Sequence, residues 1–322
     1  MGAKISVRPR RLGVALLAVA LIALAGCQID DVESGVYNGP GAVEQLERFG
    51  SFSGRAQTYA TDYVPYSNGW ATDFNPTWLV DPWSRWVAEE PGRRLVLGLP
   101  LLQESHRGQF ALGAAGAFDQ HFVGLGRTLV AKGLGHSVIR LGYEANNPNI
   151  GPWQATDDPA GYVRMYRHVV SVLRAIPGAR FTFDWNPCTG LTGGRALTSY
   201  ESFYPGNDVV DIIGQNVYDV KWRDPGVTPA ERWSHIVNRP LGLKAHRDFA
   251  RAHRKPISFP EWGLYAPGDQ YAGGGDNPYF VDRMADWMAA NDVVYQAYFN
   301  WDWGGGVLSD FPNAAKRYQA RF

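Results

Sequence analysis

The chain is poor in cysteine, in net charge and in long apolar runs. Only two of its 322 residues are cysteine, and 31 Lys and Arg balance 31 Asp and Glu. A nucleic-acid partner normally leaves a basic excess, so the neutral balance argues against one. The seven histidines form no H-x-x-x-H or H-E-x-x-H pair, so we expect neither a catalytic metal nor a cofactor. A structural calcium site stays an open alternative only at the Gly-Asp-Asn segment that contains Asp276.

The single long apolar run lies at the N-terminus. A basic segment and this run are followed by Leu-Ala-Gly-Cys, which ends at Cys27 and has the form of a bacterial lipobox. We therefore predict three parts: a lipoprotein signal peptide over 1–27 with a lipidated Cys27, a tether over 28–34, and one domain over 35–322. The protein would be secreted and tethered to the cell membrane, outside the cytoplasm. The alternative is that this segment is an uncleaved membrane anchor. If Cys27 is lipidated, Cys188 has no cysteine left to pair with, so we expect no disulfide.

From residue 35 onward, apolar runs alternate with helical patterns. Eight runs are typical of strands: 35–38, 57–64, 94–102, 137–146, 180–186, 209–219, 256–265 and 293–303. Continuous apolar strands separated by helices predict a parallel sheet that is buried on both faces. Eight such units favour an α/β fold with a single (β/α)8 TIM barrel. An open doubly wound sheet is the competitor, but the G-x-G-x-x-G turn expected after its first strand is absent.

Two of these runs carry a glutamate near their end. The fourth run, SVIRLGYEANNP, contains Glu144, and the seventh, ISFPEWGLY, contains Glu261. A buried strand has no reason to carry a carboxylate unless the charge is useful, because removing that charge from water is costly. In a barrel the strand ends share one mouth, so the two acids would face each other. Paired carboxylates are the machinery of glycoside hydrolysis, so we predict Glu261 as nucleophile and Glu144 as acid/base.

Two further polar residues lie in matching places. Arg140 precedes Glu144 by four residues and can reach a neighbouring carboxylate to hold it ionised. Tyr218, at the end of the sixth run, can donate its hydroxyl to Glu261. Each residue also has a plain structural interpretation. Arg140 could anchor a layer of the barrel, and Tyr218 could be ordinary packing.

Aromatic residues are abundant, with 12 Trp, 16 Tyr and 15 Phe. A tryptophan face can stack on a pyranose ring, although core filling explains the composition equally well. Nine residues near the acids or at strand ends are predicted to bind substrate: Tyr143, Asn146, His106, Trp185, Asn186, Trp262, Asn300, Trp301 and Trp303. Four tryptophans after the second run either form a distal binding wall or pack that loop: Trp70, Trp78, Trp83 and Trp86.

Four segments carry a resemblance to a known family: IRLGYEANN, IIGQNVYD, FPEWG and FNWDW. Over about residues 35–305 the chain resembles the clan A glycoside hydrolases, and within the clan it looks most like family 26. The resemblance implies Glu144 as acid/base, Glu261 as nucleophile, and Tyr218 as the tyrosine that hydrogen-bonds the nucleophile. Typical family members are endo-β-mannanases, with some β-1,3/1,4-glucanases and β-1,3-xylanases. This chain departs from the family at Tyr143, where typical members have His and most other clan A families have Asn.

Together these features predict a retaining, endo-acting β-glycosidase that hydrolyses β-mannan or β-glucan by double displacement. We expect a monomer whose partners are a polysaccharide and, through the lipid anchor, the membrane. The alternative is a non-catalytic carbohydrate-binding lipoprotein on the same barrel. A binding protein has no need of both Glu144 and Glu261, so the intact pair favours the enzyme. A structural cell-wall protein, which would neither cleave nor bind glycans, is a third class.

Overall fold

The computed structural model describes residues 29, 31–190, 197–220, 227–268, 272–302 and 305–322. The signal peptide with Cys27, and Trp303, lie outside the described residues. The strands are β1 Glu33–Tyr37, β2 Tyr59–Tyr63, β3 Arg94–Leu99, β4 Val138–Leu141, β5 Thr182–Trp185, β6 Ile212–Gly214, β7 Val217–Tyr218, β8 Ile257–Gly263 and β9 Val293–Phe299.

These strands close into one parallel barrel. Each of β1 to β5 pairs with the next strand along the chain, and β1 also pairs with β9. The short strands β6 and β7 both pair with β8, so together they occupy one barrel position. The barrel therefore has eight positions, and the predicted (β/α)8 fold is confirmed.

The helices cover the outside of the barrel. They are α1 Val43–Ser53, α2 Trp70–Asp73, α3 Thr77–Glu89, α4 Phe110–Ala114, α5 Asp119–Ala131, α6 Pro159–Arg174, α7 Pro229–Asn238, α8 Leu243–His253, α9 Pro278–Ala289 and α10 Pro312–Arg321. A segment containing Pro240 and Gly242, both poor helix formers, separates α7 from α8. No helix of the described part is long and apolar enough to cross a membrane.

The interior of the barrel has an apolar lower layer and a polar upper one. The lower layer consists of Tyr59, Val96, Val138, Ile212 and Tyr295. Above it lies the buried carboxylate of Asp184, which accepts hydrogen bonds from Ser258 Oγ at 2.5 Å and from the hydroxyl of Tyr295 at 2.6 Å. The polar side chains of the site described below continue this upper layer toward the mouth.

Strand β8 changes its inside–outside alternation near Pro260. Ser258 points into the barrel, where it reaches Asp184, and Glu261 also points inward, although the two are an odd number of residues apart. The pairing with β9 explains this, because Phe259 and Trp262, three residues apart, lie opposite residues only two apart. This is a β-bulge, and Pro260 suits it because proline has no N–H to donate to the ladder. The bulge turns Glu261 inward.

Residues that were predicted to belong to a tether already contact the barrel. Strand β1 begins at Glu33, and both Ile29 and Val32 are buried in the core. The backbone N–H of Ile29 donates to the carbonyl of Arg321 at 3.0 Å. The prediction of a tether up to residue 34 is therefore corrected, because apolar burial ties this segment to the barrel.

Candidate active site

Glu261 is held by a cation and a hydroxyl. Its Oε1 forms an ion pair with Nη2 of Arg140, and its Oε2 accepts a hydrogen bond from the Tyr218 hydroxyl at 3.2 Å. Glu261 is 8% exposed and Arg140 is fully buried. Because water screens this pair poorly, the guanidinium stabilises the negative charge of the carboxylate strongly. The structure thus brings Glu261 together with Arg140 and Tyr218, the two residues that the sequence predicted beside it.

Arg140 is itself fixed by several acceptors. Its Nε and Nη2 donate to Oδ1 of Asn186 at 3.0 and 2.5 Å, and its Nη1 donates to the Tyr63 hydroxyl at 2.9 Å. Its Nη2 also reaches Oδ1 of Asn216 at 3.3 Å. The guanidinium lies over the rings of Tyr63 and Tyr143, at 5.2 and 5.3 Å from their centroids. A planar guanidinium whose three nitrogens are all hydrogen-bonded can hold a carboxylate in a fixed position.

Glu144 lies in the turn after β4 with an unusual backbone. Its φ of 51° is in the left-handed region, which is uncommon for a residue with a side chain. Its backbone N–H donates to the carbonyl of Asn186 at 2.6 Å, and its two carboxylate oxygens accept from Asn216 Nδ2 at 2.7 Å and Asn147 Nδ2 at 3.1 Å. Burial, followed by the negative charge of Glu261, raises the pKa of Glu144 to about 7.

Asn216 connects the two acids. Its Nδ2 donates to Glu144, while its Oδ1 accepts from Arg140 and, at 3.0 Å, from Nδ2 of Asn186. Asn216 is not among the site residues predicted from the sequence. The signal was available, because Asn216 precedes Tyr218 by two residues and alternate residues of a strand point to the same side. The result is a pair of carboxylates in opposite environments, one facing a guanidinium and the other facing neutral amides.

Aromatic rings fix the residue that precedes Glu144. The Tyr143 ring contacts the Tyr63 ring edge-on at 5.3 Å and the Trp153 ring at 5.0 Å, and Trp153 Nε1 donates to the carbonyl of Tyr143 at 2.7 Å. Gly98 of β3 makes room for these rings, because a Cβ there would lie 2.5 Å from the Tyr63 ring. Tyr143 therefore lies beside Arg140, at the edge of the carboxylate pair.

Comparison with known proteins identifies what this barrel resembles. No protein-family model matches the chain. A mannan endo-1,4-beta-mannosidase of Bifidobacterium adolescentis is 28% identical over 168 residues, which are 50% of this chain but only 16% of that protein. Among solved structures, a modular endo-β-1,4-mannanase from Cellulomonas fimi matches with a TM-score of 0.62 and 17% identity, over 88% of this chain and 70% of that one. A family 26 β-mannanase from Bacteroides ovatus matches with a TM-score of 0.57 and 13% identity, over 90% and 86% of the two chains.

The fold is that of the family 26 glycoside hydrolases. The resemblance predicted from the sequence is thereby confirmed at the level of the fold. The chemistry of this family 26-like barrel follows from its own residues.

Three of the predicted substrate-binding residues do not face the mouth. Trp185 is 1% exposed and packs outside the barrel against Phe203 and other core rings. Trp262 is fully buried, and its Nε1 donates to Oε1 of Gln296 at 2.6 Å. Both are neighbours of inward residues, so strand alternation sends them into the helix layer. Asn146 is also buried. Its Nδ2 donates to the carbonyl of Cys188 at 2.9 Å and its Oδ1 accepts from the N–H of Cys188 at 2.8 Å, so this side chain joins two loops.

Two other predicted residues have structural contacts of their own. The His106 ring lies 4.9 Å from that of Phe118 in the loop after β3. Asn300 donates to Oδ1 of Asn38 at 2.7 Å and accepts from the N–H of Leu308 at 2.8 Å, which ties together loops at the mouth. Asn186, described above, is buried and acts on Arg140 and Glu144. Of these three residues, Asn186 supports the site, whereas the described contacts of His106 and Asn300 pack loops.

Trp301 is exposed, unlike the predicted substrate-binding residues Trp185 and Trp262. It is 44% exposed at the end of β9, and its ring lies so close to Gly39 that a Cβ there would collide with it. A broad exposed indole at the mouth is suited to stacking on a sugar ring. The proposed distal wall is largely absent, because Trp70, Trp83 and Trp86 are buried and only Trp78 of the four is exposed.

Metal-binding groups are not assembled in the described residues. No cluster of three or more His, Cys, Asp or Glu side chains there could hold a metal ion. Asp276, the candidate for calcium, instead accepts hydrogen bonds from the backbone N–H groups of Asn313 and Ala314 in the first turn of α10. Its carboxylate thus caps a helix.

Proposed function

We propose that this chain is a retaining glycoside hydrolase that cleaves β-linked polysaccharide internally, with Glu261 as nucleophile and Glu144 as acid/base. One observation carries the proposal: Arg140 and Tyr218 support the charge of Glu261, while burial raises the pKa of Glu144 to about 7. Two carboxylates in such different environments can hold different protonation states at neutral pH, which double displacement requires.

In the first step, a carboxylate oxygen of Glu261 attacks the anomeric carbon of the bound sugar. The glycosidic C–O bond breaks, and Glu144 gives its proton to the departing oxygen. The product is a covalent glycosyl ester on Glu261, and Glu144 is left ionised. Arg140 keeps the attacking oxygen in position, and Asn216 keeps the acid within reach of the same sugar.

In the second step, water replaces the departed sugar. Glu144, now a base, takes a proton from that water as its oxygen attacks the anomeric carbon. The ester bond breaks and the electron pair returns to Glu261 as carboxylate. The first sugar leaves with its original anomeric configuration, and both acids regain their starting charge.

We propose β-mannan as the first substrate to test and β-glucan as the second. The matched Bifidobacterium protein is a mannan endo-1,4-beta-mannosidase, and the Cellulomonas and Bacteroides structures are mannanases. Trp301 supplies an open platform for a further sugar of a long chain, which supports internal cleavage. Tyr143, packed against Arg140, is suited to contact the sugar at the cleavage point and so to influence which sugar is accepted.

We also propose that the chain is exported as a lipoprotein through Cys27 and acts as a monomer. Expression of the full chain in a bacterium tests this placement. Wild type is expected in the membrane fraction with an acylated Cys27 peptide, as read by mass spectrometry. Cys27→Ser is expected to lose the acyl mass, and a wild-type Cys27 peptide without any acyl mass would refute lipidation.

A product screen with retention analysis tests the activity. Residues 28–322 are incubated with mannan, mixed-linkage glucan, xylan and the envelope glycan of the producing cell. Oligosaccharides are identified by mass spectrometry, and proton NMR follows the first-formed anomer. We expect wild type to release β-anomers from mannan. Glu261→Ala and Glu144→Ala should be inactive, whereas Glu44→Ala, a change at an exposed glutamate of α1, should match wild type.

Chemical rescue separates the two roles. In Glu261→Ala, azide can enter the vacated space and attack the anomeric carbon, so an α-glycosyl azide is expected from an activated β-glycoside. In Glu144→Ala, azide attacks the glycosyl ester instead, and the β-azide is expected. Glycan retention by wild type without any cleavage would reject the enzyme and leave the carbohydrate-binding alternative.

A further inference from the structure

A groove of about 290 Å³ lies on the outer surface of the barrel. It is lined by residues of α7, α8 and α9, and its lining reaches Asn291, just before β9. Since all strands are parallel, the start of β9 marks the end of the barrel opposite the mouth. The groove is therefore separate from the carboxylate pair.

Three arginines converge on this groove from two helices. Arg247 and Arg251 lie one turn apart on α8, and Arg283 faces them from α9. Guanidinium groups so placed can donate several hydrogen bonds to one oxyanion. The chain as a whole has no net charge, so this concentration of positive charge is a local feature.

The nearby carboxylates leave Arg251 without an acidic partner among the described residues. Asp248 pairs with Arg247 at 2.7 Å. Asp286 is shared, because one oxygen pairs with Arg283 at 2.6 Å and the other with Arg321 at 2.7 Å. Arg251 has one described hydrogen bond, to the neutral Oδ1 of Asn291 at 3.2 Å. Its charge remains available to an anion.

Two further donors of the lining residues lack acceptors. Trp287 Nε1 and Arg283 Nε are buried and have no hydrogen-bond partner in the described structure. A buried donor without an acceptor is costly, so an oxyanion nearby would be favoured. The Arg247 guanidinium lies over the Trp287 ring, 5.4 Å from its centroid. One face of that ring is therefore covered, which argues against a stacked sugar as the ligand.

We propose that this groove binds a phosphate group. Donors that approach from both α8 and α9 match a tetrahedral oxyanion better than a planar carboxylate, whose two oxygens lie in one plane. The phosphate can belong to the headgroup of an anionic phospholipid or to a free phosphate. Neither source depends on glycosidase activity, so this proposal stands apart from the proposed function.

The test measures binding of inorganic phosphate to residues 28–322 by calorimetry, at ionic strength held constant with sodium chloride. We expect saturable binding by wild type, and much weaker binding of acetate. Arg251→Gln and Asn291→Asp, which remove the free charge or neutralise it, should each weaken phosphate binding by about tenfold or more. Arg127→Gln, a change at an exposed arginine of α5, is the matched control and should bind as wild type does.

Sedimentation with vesicles distinguishes the two sources. Vesicles of phosphatidylcholine alone are compared with vesicles that also contain phosphatidylglycerol. An Arg251-dependent preference for phosphatidylglycerol, relieved by inorganic phosphate, assigns the groove to lipid. Phosphate binding without that preference assigns it to free phosphate. The proposal is overturned if wild type binds neither probe, or if Arg127→Gln loses as much affinity as Arg251→Gln. Glycosidase activity of Arg251→Gln should equal that of wild type.

Discussion

Glu144→Gln should make the protein more stable in alkaline solution while abolishing catalysis. The reason is the cost of ionising a buried acid. Burial and the charge of Glu261 raise the pKa of Glu144 from 4.5 to about 7 in the folded chain. A glutamine of the same shape never ionises, so it does not carry that cost. The effect therefore depends on pH in a way that a simple packing change does not.

The sign and size of the change in unfolding free energy follow from proton linkage. Below the unfolded pKa, Glu144 is protonated in both states and its titration contributes nothing. As pH rises from there to the folded pKa, the unfolded chain releases the proton first, so wild type loses stability. Each pKa unit corresponds to about 1.4 kcal/mol, so the loss above pH 7 is at most about 3.5 kcal/mol. The partial exposure of Glu144 reduces this figure.

Urea unfolding of wild type and Glu144→Gln at about pH 4 and about pH 8 measures the effect. Glutamine has one acceptor oxygen, so Asn147 or Asn216 loses a partner, but that loss is the same at both pH values. The difference between the two pH values therefore isolates the titration. We expect the variant to gain about 2–3 kcal/mol relative to wild type between them. An equal difference in stability at both pH values would refute the raised pKa.

Three other predictions concern activity and folding. The pH profile of kcat/KM should fall above about 7, because the protonated form of Glu144 is the one that can act; a profile still rising at pH 8 would contradict this. Arg140→Met should lower the free energy of unfolding by about 3–5 kcal/mol in urea titrations, since it leaves Glu261 buried without its cation; Arg164→Met, on the exposed side of α6, is the control. Trp301→Ala should raise KM for long oligosaccharides several-fold with little change in kcat; an equal effect on a disaccharide substrate would exclude a distal platform.

The sequence predicted the centre of this site because its residues interrupt an apolar pattern. Charged residues stand in otherwise apolar strands, where desolvation makes a buried charge without a function costly; they are Glu144, Glu261 and Arg140. Such residues stand out without any structure. The barrel was predictable for a related reason, since eight apolar runs with helices between them leave few parallel architectures.

The substrate-binding residues around the carboxylate pair were harder to predict, because their role depends on which side of a strand each one faces. The strand-end tryptophans Trp185 and Trp262 are predicted to bind substrate, but each is next to an inward residue and lies in the core. In β8 the bulge at Pro260 shifts the alternation, so regular counting from Ser258 would have placed Trp262 inside and Glu261 outside. Only the three-dimensional pairing with β9 shows that shift.

The buried start of the barrel limits how a lipid-anchored form of the protein can be oriented on a membrane. If Cys27 carries a lipid, only two residue steps separate it from the buried Ile29, a reach of at most about 7 Å. The ends at which the strands begin would then rest close to the bilayer, and the mouth with Glu144 and Glu261 would open away from it. A glycan still attached to lipid in the same membrane would have to bend around the whole barrel to be cut. Polymers that arrive from the surroundings would meet the open mouth directly.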